Sequence, residues 1–113
     1  MKNIEWAENI TAAVTICNLE GEILYMNKNS RNTFNKENPT SLVGQNLYDC
    51  HPEPSKTKLK ELMDCQQDNI YTIEKKGVKK LIYQTPWYED GIHQGLVELS
   101  IVLPNDMPHF VRT

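Results

Sequence analysis

The sequence predicts one α+β domain with the element order β-β-α-α-α-β-β-β. The strands are predicted by a short apolar hairpin within residues 13–27 and by three β-rich segments after residue 69 that glycine-containing turns separate. The helices are predicted between them, where residues 56–66 repeat apolar side chains at helical spacing. The chain has 113 residues, the usual size of one domain, and can bury a core without disulfides.

The composition argues against nucleic-acid binding, membrane insertion and secretion. The net charge is −3, so no strong positive field attracts nucleic acid or an anionic membrane. No apolar run approaches the roughly 18 residues of a membrane span, and the first ten residues lack the apolar centre of a signal peptide. Cys17, Cys50 and Cys65 have no metal-like spacing. Reduced thiols and a cytoplasmic location are therefore the expectation.

The first two strands form a local hairpin. Ala13–Cys17 and Ile23–Met26 are short apolar runs rich in β-branched and aromatic residues, which suit a half-buried sheet surface. Between them, Asn18 can hydrogen-bond the turn backbone and Gly21 can adopt a positive φ without steric cost. The hairpin is therefore predicted to close on its own turn chemistry.

Short helices follow the hairpin. Asn27 is predicted to cap a helix over Lys28–Phe34, and the polar, proline-containing segment 35–41 is predicted to be a loop. A short helix is expected within Leu42–Pro54. A longer helix is predicted over Lys56–Gln66 because its apolar residues recur at i, i+3 and i+4. Residues 2–10 are predicted either to form a further short helix or to be a frayed N-terminus.

Three strands complete the domain, at Asn69–Lys75, Lys79–Tyr88 and Gly95–Leu103. Glycine-containing turns separate them, and Pro86 predicts a bulge or an edge position because proline lacks a ladder donor. The last strand is nearly all apolar, which favours a central place in the sheet. The tail, 105–113, is expected to fold back on the domain.

This order, with its Asn18-x-x-Gly21 turn, its Gly44-x-x-Leu47 segment and its terminal hairpin, resembles the PAS domain family over residues 10–104. The resemblance implies a five-stranded antiparallel sheet with short helices on one face. Residues 1–9 are then an N-terminal helix or cap, and 105–113 a C-terminal tail. The segments DCHPEP, TPWYEDG and PHFVR resemble small stand-alone bacterial PAS sensor proteins.

Two features depart from the usual family pattern. Asn18 stands where the family usually has aspartate. The last strand ends in Val102-Leu103-Pro104, where PAS domains commonly carry Asp-Ile-Thr and lead into an effector helix.

The resemblance implies a pocket between the sheet and the helices, where PAS proteins hold haem, flavin, other small molecules or nothing. The residues expected to line it are Tyr48, Cys50, His51, Tyr83, Trp87, Glu98 and Ser100. His51 could ligate haem, or its ring could cap a loop carbonyl or the start of the next helix. Cys50 could be a ligand or a buried thiol. A flavin adduct is not expected, because the Asn-Cys-Arg-Phe-Leu-Gln motif of the light-sensing subgroup is absent.

Alternation along the last strand places Val97, Leu99 and Ile101 on one face and Glu98 and Ser100 on the other. The pattern alone directs Glu98 to water, whereas the resemblance directs it into the pocket. In the second case the outer-face residues need cover from the N-terminal helix or a second subunit; they are Ile4, Trp6, Val97, Leu99 and Ile101. A hydrogen bond from Glu98 to His51 or to a tyrosine would then cross the pocket.

Tyr83 and Trp87 share one face of their strand, and core or dimer packing is the alternative to a place in the pocket.

No nucleophile–base set, phosphate loop or metal-ligand spacing predicts an enzyme. The resemblance implies a signal sensor or interaction module that binds a small ligand or a signalling protein and forms a homodimer. No nucleic-acid or membrane partner is expected. One alternative is a haem-based redox or gas sensor using His51, with no other metal site. Another is a dimerisation domain without a ligand.

Overall fold

The structure, a computed structural model, describes residues 4–34 and 42–113, without the side chains of Phe34 and Cys50. The strands are β1 Ala13–Asn18, β2 Ile23–Met26, β3 Asn69–Lys75, β4 Val78–Glu89 and β5 Ile92–Leu103. The helices are α1 Glu5–Glu8, α2 Lys28–Phe34, a 3₁₀ helix Leu47–Cys50 and α3 Ser55–Cys65. All strand pairs are antiparallel, in the sheet order β2-β1-β5-β4-β3. The predicted α+β fold class is confirmed.

The β1–β2 turn forms through the chemistry that the sequence indicates. The Oδ1 atom of Asn18 accepts hydrogen bonds from the backbone N–H groups of Glu20, at 3.0 Å, and Glu22, at 2.9 Å. Gly21 has φ +85°, a left-handed conformation that glycine adopts without strain. Asparagine thus supplies the side-chain acceptor where the family pattern has aspartate.

Asn27 does much more than cap α2. Its Oδ1 accepts from the backbone N–H of Ser30, which is the cap, and also from Val14 on β1, both at 2.9 Å. Its Nδ2 donates at 2.8 Å to the carbonyl oxygens of Ala7 and Ala12. The side chain is completely buried. One amide therefore joins α1, the start of β1 and α2.

The two faces of the sheet have separate apolar clusters. The helix-side cluster consists of Cys17, Ile23, Met26, Leu47, Leu59, Met63 and Leu96. The outer cluster consists of Ala7, Val14 and Ile16, with Tyr25, Trp87, Val97 and Leu99 packed against it. The sheet is therefore covered by helices on one face and, in part, by the short α1 on the other.

A bulge sets the register of the long β4–β5 hairpin. At its tip, Tyr88 lies opposite His93, but the register shifts next to Trp87, which lies opposite Gly95. Beyond the shift, Gln84 lies opposite Glu98 and Tyr83 opposite Leu99. Had the tip register continued, Tyr83 would face Glu98. Because a slip of one residue exchanges the faces of a strand, the bulge decides which β4 side chains share the face of Glu98.

The helix predictions need small corrections. Helix α3 begins at Ser55, one residue before the predicted start at Lys56, and Gln66, the predicted last residue, follows the helix in a left-handed conformation. The N-terminal helix has only four residues, against the predicted 2–10. The predicted loop at 35–41 lies outside the described residues. Within residues 4–34 and 42–113, no helix is long and apolar enough to cross a membrane.

Candidate functional site

A cleft lies between the start of α3 and the β3–β4 side of the sheet. A cavity of about 430 Å³ is lined from the helical side by His51, Lys58 and Leu59, and from the sheet by Asn69, Tyr71 and Gln84. A second cavity of about 200 Å³ shares the walls His51 and Tyr71 and extends to Thr15, Lys80, Ile82, Glu98 and Ser100. The two cavities therefore form neighbouring parts of one cleft.

Glu98 is the acidic group of this cleft. Burial raises the pKa of its carboxyl group, and the positive charge of His51 and a hydrogen bond with Gln84 oppose that rise. The Oε2 atom is buried and has no hydrogen-bond partner among the described residues. An acceptor without a donor in a buried place is uncommon, because desolvation of the oxygen is not compensated.

The Glu98 carboxyl group lies at the end of a row of polar side chains on three neighbouring strands. The Nδ2 atom of Asn69 on β3 donates to Oε1 of Gln84 on β4 at 2.9 Å. The Gln84 oxygen is thus occupied, and its amide N–H group is the donor toward Glu98 on β5. The expected hydrogen bond from Glu98 to His51 or to a tyrosine is not among the bonds of the described residues; Gln84 supplies it instead.

His51 follows the 3₁₀ helix, and its ring is held by the main chain. Its Nδ1 lies 2.9 Å from the carbonyl oxygen of Leu47. Because a carbonyl only accepts, Nδ1 carries the proton, and Nε2 is the atom left for a neighbour on the cavity side. A neutral ring offers an acceptor there, and a protonated ring offers a donor.

The structure brings together only part of the predicted pocket set. His51, Glu98 and Ser100 line the smaller cavity. Tyr48 packs against the helix-side cluster and does not line either cavity of the cleft. The side chain of Cys50 lies outside the described residues, so its place in the pocket stays a prediction.

Tyr83 and Trp87 lie on the opposite face of the sheet from the cleft. Tyr83 is opposite Leu99, and Trp87 packs in the outer cluster with its Nε1 donating to the carbonyl oxygen of Cys17 at 3.0 Å. Their assignment to the pocket was wrong for a physical reason: the β4–β5 register pairs Gln84 with Glu98, so the other alternate set of β4 side chains faces outward.

The three sheet residues that line the larger cavity were not among the residues predicted for the pocket: Asn69, Tyr71 and Gln84. Tyr71 is opposite Ile82, and Asn69 is opposite Gln84, so these residues share the face of Glu98. The alternation of Asn69 and Tyr71 with Ile70 and Thr72 along β3 was visible in the sequence. The register that assigns each set to a face was not.

The outer face is partly covered. Ala7 of α1 is buried in the outer cluster, against which Val97 and Leu99 pack. Trp6 is 67% exposed and Ile101 is 37% exposed. A shallow cavity of about 420 Å³, lined by Ile4, Ile16, Trp87, Tyr88 and Val97 among others, separates α1 from the hairpin tip. Of the residues predicted for this face, Val97 and Leu99 pack against the outer cluster and Ile4 lines this cavity, while the role of Trp6 and Ile101 stays a prediction.

Within the described ranges, no group of three or more histidine, cysteine, aspartate or glutamate side chains could hold a metal ion.

Comparison with known proteins gives a consistent result. A family model described as "PAS fold" matches residues 7–69. No curated protein sequence matches the chain. Among similar solved structures, the C-terminal domain of a Streptococcus mutans protein has 18% sequence identity and a TM-score of 0.66, and the match covers 84% of this chain and 78% of that chain. The PAS domain of BvgS from Bordetella pertussis has 12% identity and a TM-score of 0.64, with 87% of this chain and 81% of that chain covered. The Aer2 receptor from Vibrio cholerae, described as a dual PAS-haem oxygen sensor, has 14% identity and a TM-score of 0.62, with 87% of this chain and 99% of that chain covered. At these identities, the likeness shows a shared fold.

Proposed function

This chain belongs to the PAS-fold family, and we propose that it is a signal-sensing module that binds a small molecule between its sheet and α3 without converting it. PAS domains are in general sensory modules, which supports the sensing role. The observation that carries the proposal is the cleft with Glu98 in its wall, where a buried carboxyl oxygen has no donor among the described residues. A cytoplasmic location stays a prediction.

The cleft has the size and chemistry of a small-molecule site. Its larger cavity, about 430 Å³, falls in the range of roughly 300–1,000 Å³ typical of ligand pockets. Leu59 and Ile82 supply apolar walls, while His51, Gln84 and Glu98 supply polar groups. A few polar groups in a partly apolar cleft favour specific binding of a small molecule over nonspecific binding.

Native mass spectrometry of freshly purified protein, compared with Glu98→Gln, tests this function. We expect an additional mass of a few hundred daltons on the wild-type chain that Glu98→Gln retains poorly. Glu74→Gln is the matched control, because Glu74 is exposed on the neighbouring strand β3. If wild-type protein carries no additional mass and small molecules added to it bind nowhere in the cleft, the sensing-by-ligand proposal is wrong.

A bound molecule would touch both the start of α3 and the sheet, so it would favour one arrangement of the two. We propose that the outer face passes this change to a second copy or a signalling partner, through Ile4, Trp6, Val97, Leu99 and Ile101. Light scattering tests the dimer: Ile101→Glu should give monomers, while Val102→Glu, next in the strand but on the other face, should not. A wild-type monomer at about 100 μM would contradict the homodimer.

Haem binding through His51 is the second candidate. Hydrogen bonding of Nδ1 to the Leu47 carbonyl is the arrangement that orients a metal-ligating histidine and leaves Nε2 for the metal. His51 thus fits an axial ligand, but the buried oxygen of Glu98 is a poor neighbour for an apolar macrocycle. A haem protein would show a Soret band that His51→Ala removes. His93→Ala is the control, because His93 lies by the hairpin tip with its Nε2 3.0 Å from the Gly95 carbonyl oxygen.

A further inference from the structure

We propose that the cleft selects ligands with a positively charged, N–H-bearing group, an amidinium or an ammonium, and that Glu98 is the counter-ion that receives it. This inference rests on the proposed function and names the ligand class. It starts from the buried Oε2 of Glu98, which lacks a donor among the described residues. A ligand N–H group is the complement that this oxygen lacks.

The sheet holds the Glu98 carboxyl group in place for such a ligand. Asn69 fixes the oxygen of Gln84, and Gln84 in turn donates to the carboxyl group. These three residues lie directly opposite one another on three neighbouring strands, and this placement favours one orientation of the carboxyl group. A carboxylate held in one orientation loses little conformational entropy when it binds a cation.

The rest of the smaller cavity supports a donor-rich ligand. His51 has its Nδ1 proton committed to Leu47, so the neutral ring presents an Nε2 acceptor to the same space. The hydroxyl of Thr15 is hydrogen-bonded to the hydroxyl of Ser30, and either oxygen can be the donor. The cavity thus offers two acceptors, Glu98 Oε2 and His51 Nε2, beside the ammonium group of Lys80. An anionic ligand would instead meet a carboxyl group at short range with little water to screen the repulsion.

Binding should depend on pH, since a cation and a proton compete for the same carboxyl group. Four other ionisable groups face or act on Glu98: His51 before α3, Tyr71 on β3, Lys80 on β4 and Cys17 on β1. Burial raises the pKa of the Cys17 thiol to about 11, and burial also raises the pKa of Tyr71, so both stay neutral near pH 7. The imidazole of His51 is therefore removed by substitution when the pH dependence of binding is tested.

Shape-matched ligand triplets test the inference. Each triplet is an amidine, the corresponding primary amide and the corresponding carboxylate, beginning with benzamidine, benzamide and benzoate. Backbone amide NMR shifts of Tyr71 and Gln84 identify binding in the cleft and give the dissociation constants. We expect the amidine to bind wild-type protein at least tenfold more tightly than the amide, and the carboxylate to bind most weakly.

The effects of substitutions and of pH on binding test whether Glu98 causes the preference for the amidine. Glu98→Gln should lower amidine affinity at least tenfold and amide affinity less than threefold, whereas the exposed control Glu74→Gln should change neither. Glu98→Asp should restore part of the preference for the amidine. In a His51→Gln background, which lacks the imidazole, amidine affinity should still rise between pH 5 and pH 8, with calorimetry detecting proton release.

The experiment distinguishes failure of the cationic-ligand inference from failure of the sensing proposal. If triplet members bind in the cleft without an amidine preference, or if Glu98→Gln keeps that preference, the cationic-ligand inference is wrong and the sensing proposal stands. If no member of any triplet binds in the cleft and the purified protein carries no additional mass, the sensing proposal itself is wrong.

Discussion

Asn27 and Glu98 are two polar side chains packed against the same strand, β1, and they differ in how completely they are hydrogen-bonded. Asn27 is fully buried and uses its amide group to bind four backbone groups. Glu98, opposite Thr15, has a carboxyl group that interacts with Gln84 and one buried oxygen without a partner in the described residues. The protein itself therefore supplies all the partners of the Asn27 amide, whereas the carboxyl group of Glu98 can accept a hydrogen bond from a ligand.

The contrast suggests how structural and binding polar groups can be told apart in this fold. A buried amide with all its hydrogen bonds made by the protein stabilises one chain path and has no capacity left for a ligand. A buried carboxyl group with an unused oxygen costs stability unless something binds it. Stability measurements on the two sites should therefore give effects of opposite sign.

The largest effect is expected at Asn27. In Asn27→Ala, the N–H groups of Val14 and Ser30 and the carbonyl groups of Ala7 and Ala12 lose their shared partner. Unpaired buried groups cost about 1–3 kcal/mol each, and entering water recovers part of that cost, so a loss of about 3–5 kcal/mol is expected. Urea unfolding measures it.

Asn32→Ala is the control for Asn27, because Asn32 is exposed on the same helix. It should change the free energy of unfolding by less than about 0.5 kcal/mol. Equal effects of the two substitutions would mean that the Asn27 bonds do not hold α1, β1 and α2 together, and the contrast with Glu98 would fail.

An intermediate effect of opposite sign is expected at Glu98. Because burial raises the pKa of the folded carboxyl group, the folded chain binds a proton more readily than the unfolded chain. Stability of the wild type then falls as the pH rises from about 4.5 through the raised pKa. Glu98→Gln removes this loss and should be more stable by about 1 kcal/mol at pH 8, without added ligand.

Urea unfolding of wild type and Glu98→Gln at pH 4 and pH 8 gives the comparison. The advantage of the variant should be largest at pH 8 and disappear at pH 4. A variant that is less stable than wild type at pH 8 would show that the free carboxyl oxygen finds a favourable partner inside the protein, and Glu98 would then resemble Asn27.

The smallest effect is expected at Glu8, a carboxylate that is well paired. Hydrogen bonds from Arg31, at 2.7 Å to Oε2, and from Tyr25 lower the pKa of Glu8. Its contribution is present above the unfolded pKa of about 4.5 and is lost as the pH falls through the lowered folded pKa. Glu8→Gln should therefore lower the melting temperature slightly at pH 7 and leave it unchanged at pH 2.

Glu5→Gln in the same short helix is the control for Glu8, since Glu5 is exposed. It should leave the melting temperature unchanged at both pH values. The same pH dependence in both variants would assign the effect to the general charge of α1 and not to the pair with Arg31.

Much of the fold was predictable because local chemistry decides it. Asn18 and Gly21 supply the acceptor and the positive φ of the first turn, and the strand ends agree with the observed ones to within a few residues. Alternation in the last strand also separated Glu98 and Ser100 from Val97, Leu99 and Ile101, as their places in the structure show. Local turn geometry and side-chain alternation need no information from distant parts of the chain.

Which side chains of β4 line the cleft could not be predicted from local sequence patterns. On β4 both alternate sets mix polar and apolar residues, so neither Tyr83 nor Gln84 carries a clear sign of its face. The bulge beside Trp87 moves the register by one residue and brings Gln84 opposite Glu98. The second role of Asn27 was hidden for a similar reason, since its partners Ala7 and Val14 reach it only after α1 and β1 have packed.

The sequence by itself thus determined the order of the elements, the first turn, the cap of α2 and the two sets of side chains on β5. These depend on bonds within a few residues and on the fixed period of a strand. The tertiary structure decided which β4 residues join Glu98, that His51 and Tyr71 meet in one cleft, and that one oxygen of Glu98 stays without a donor among the described residues. Those outcomes depend on strand register and on packing between distant segments, where a shift of one residue exchanges the faces of a strand.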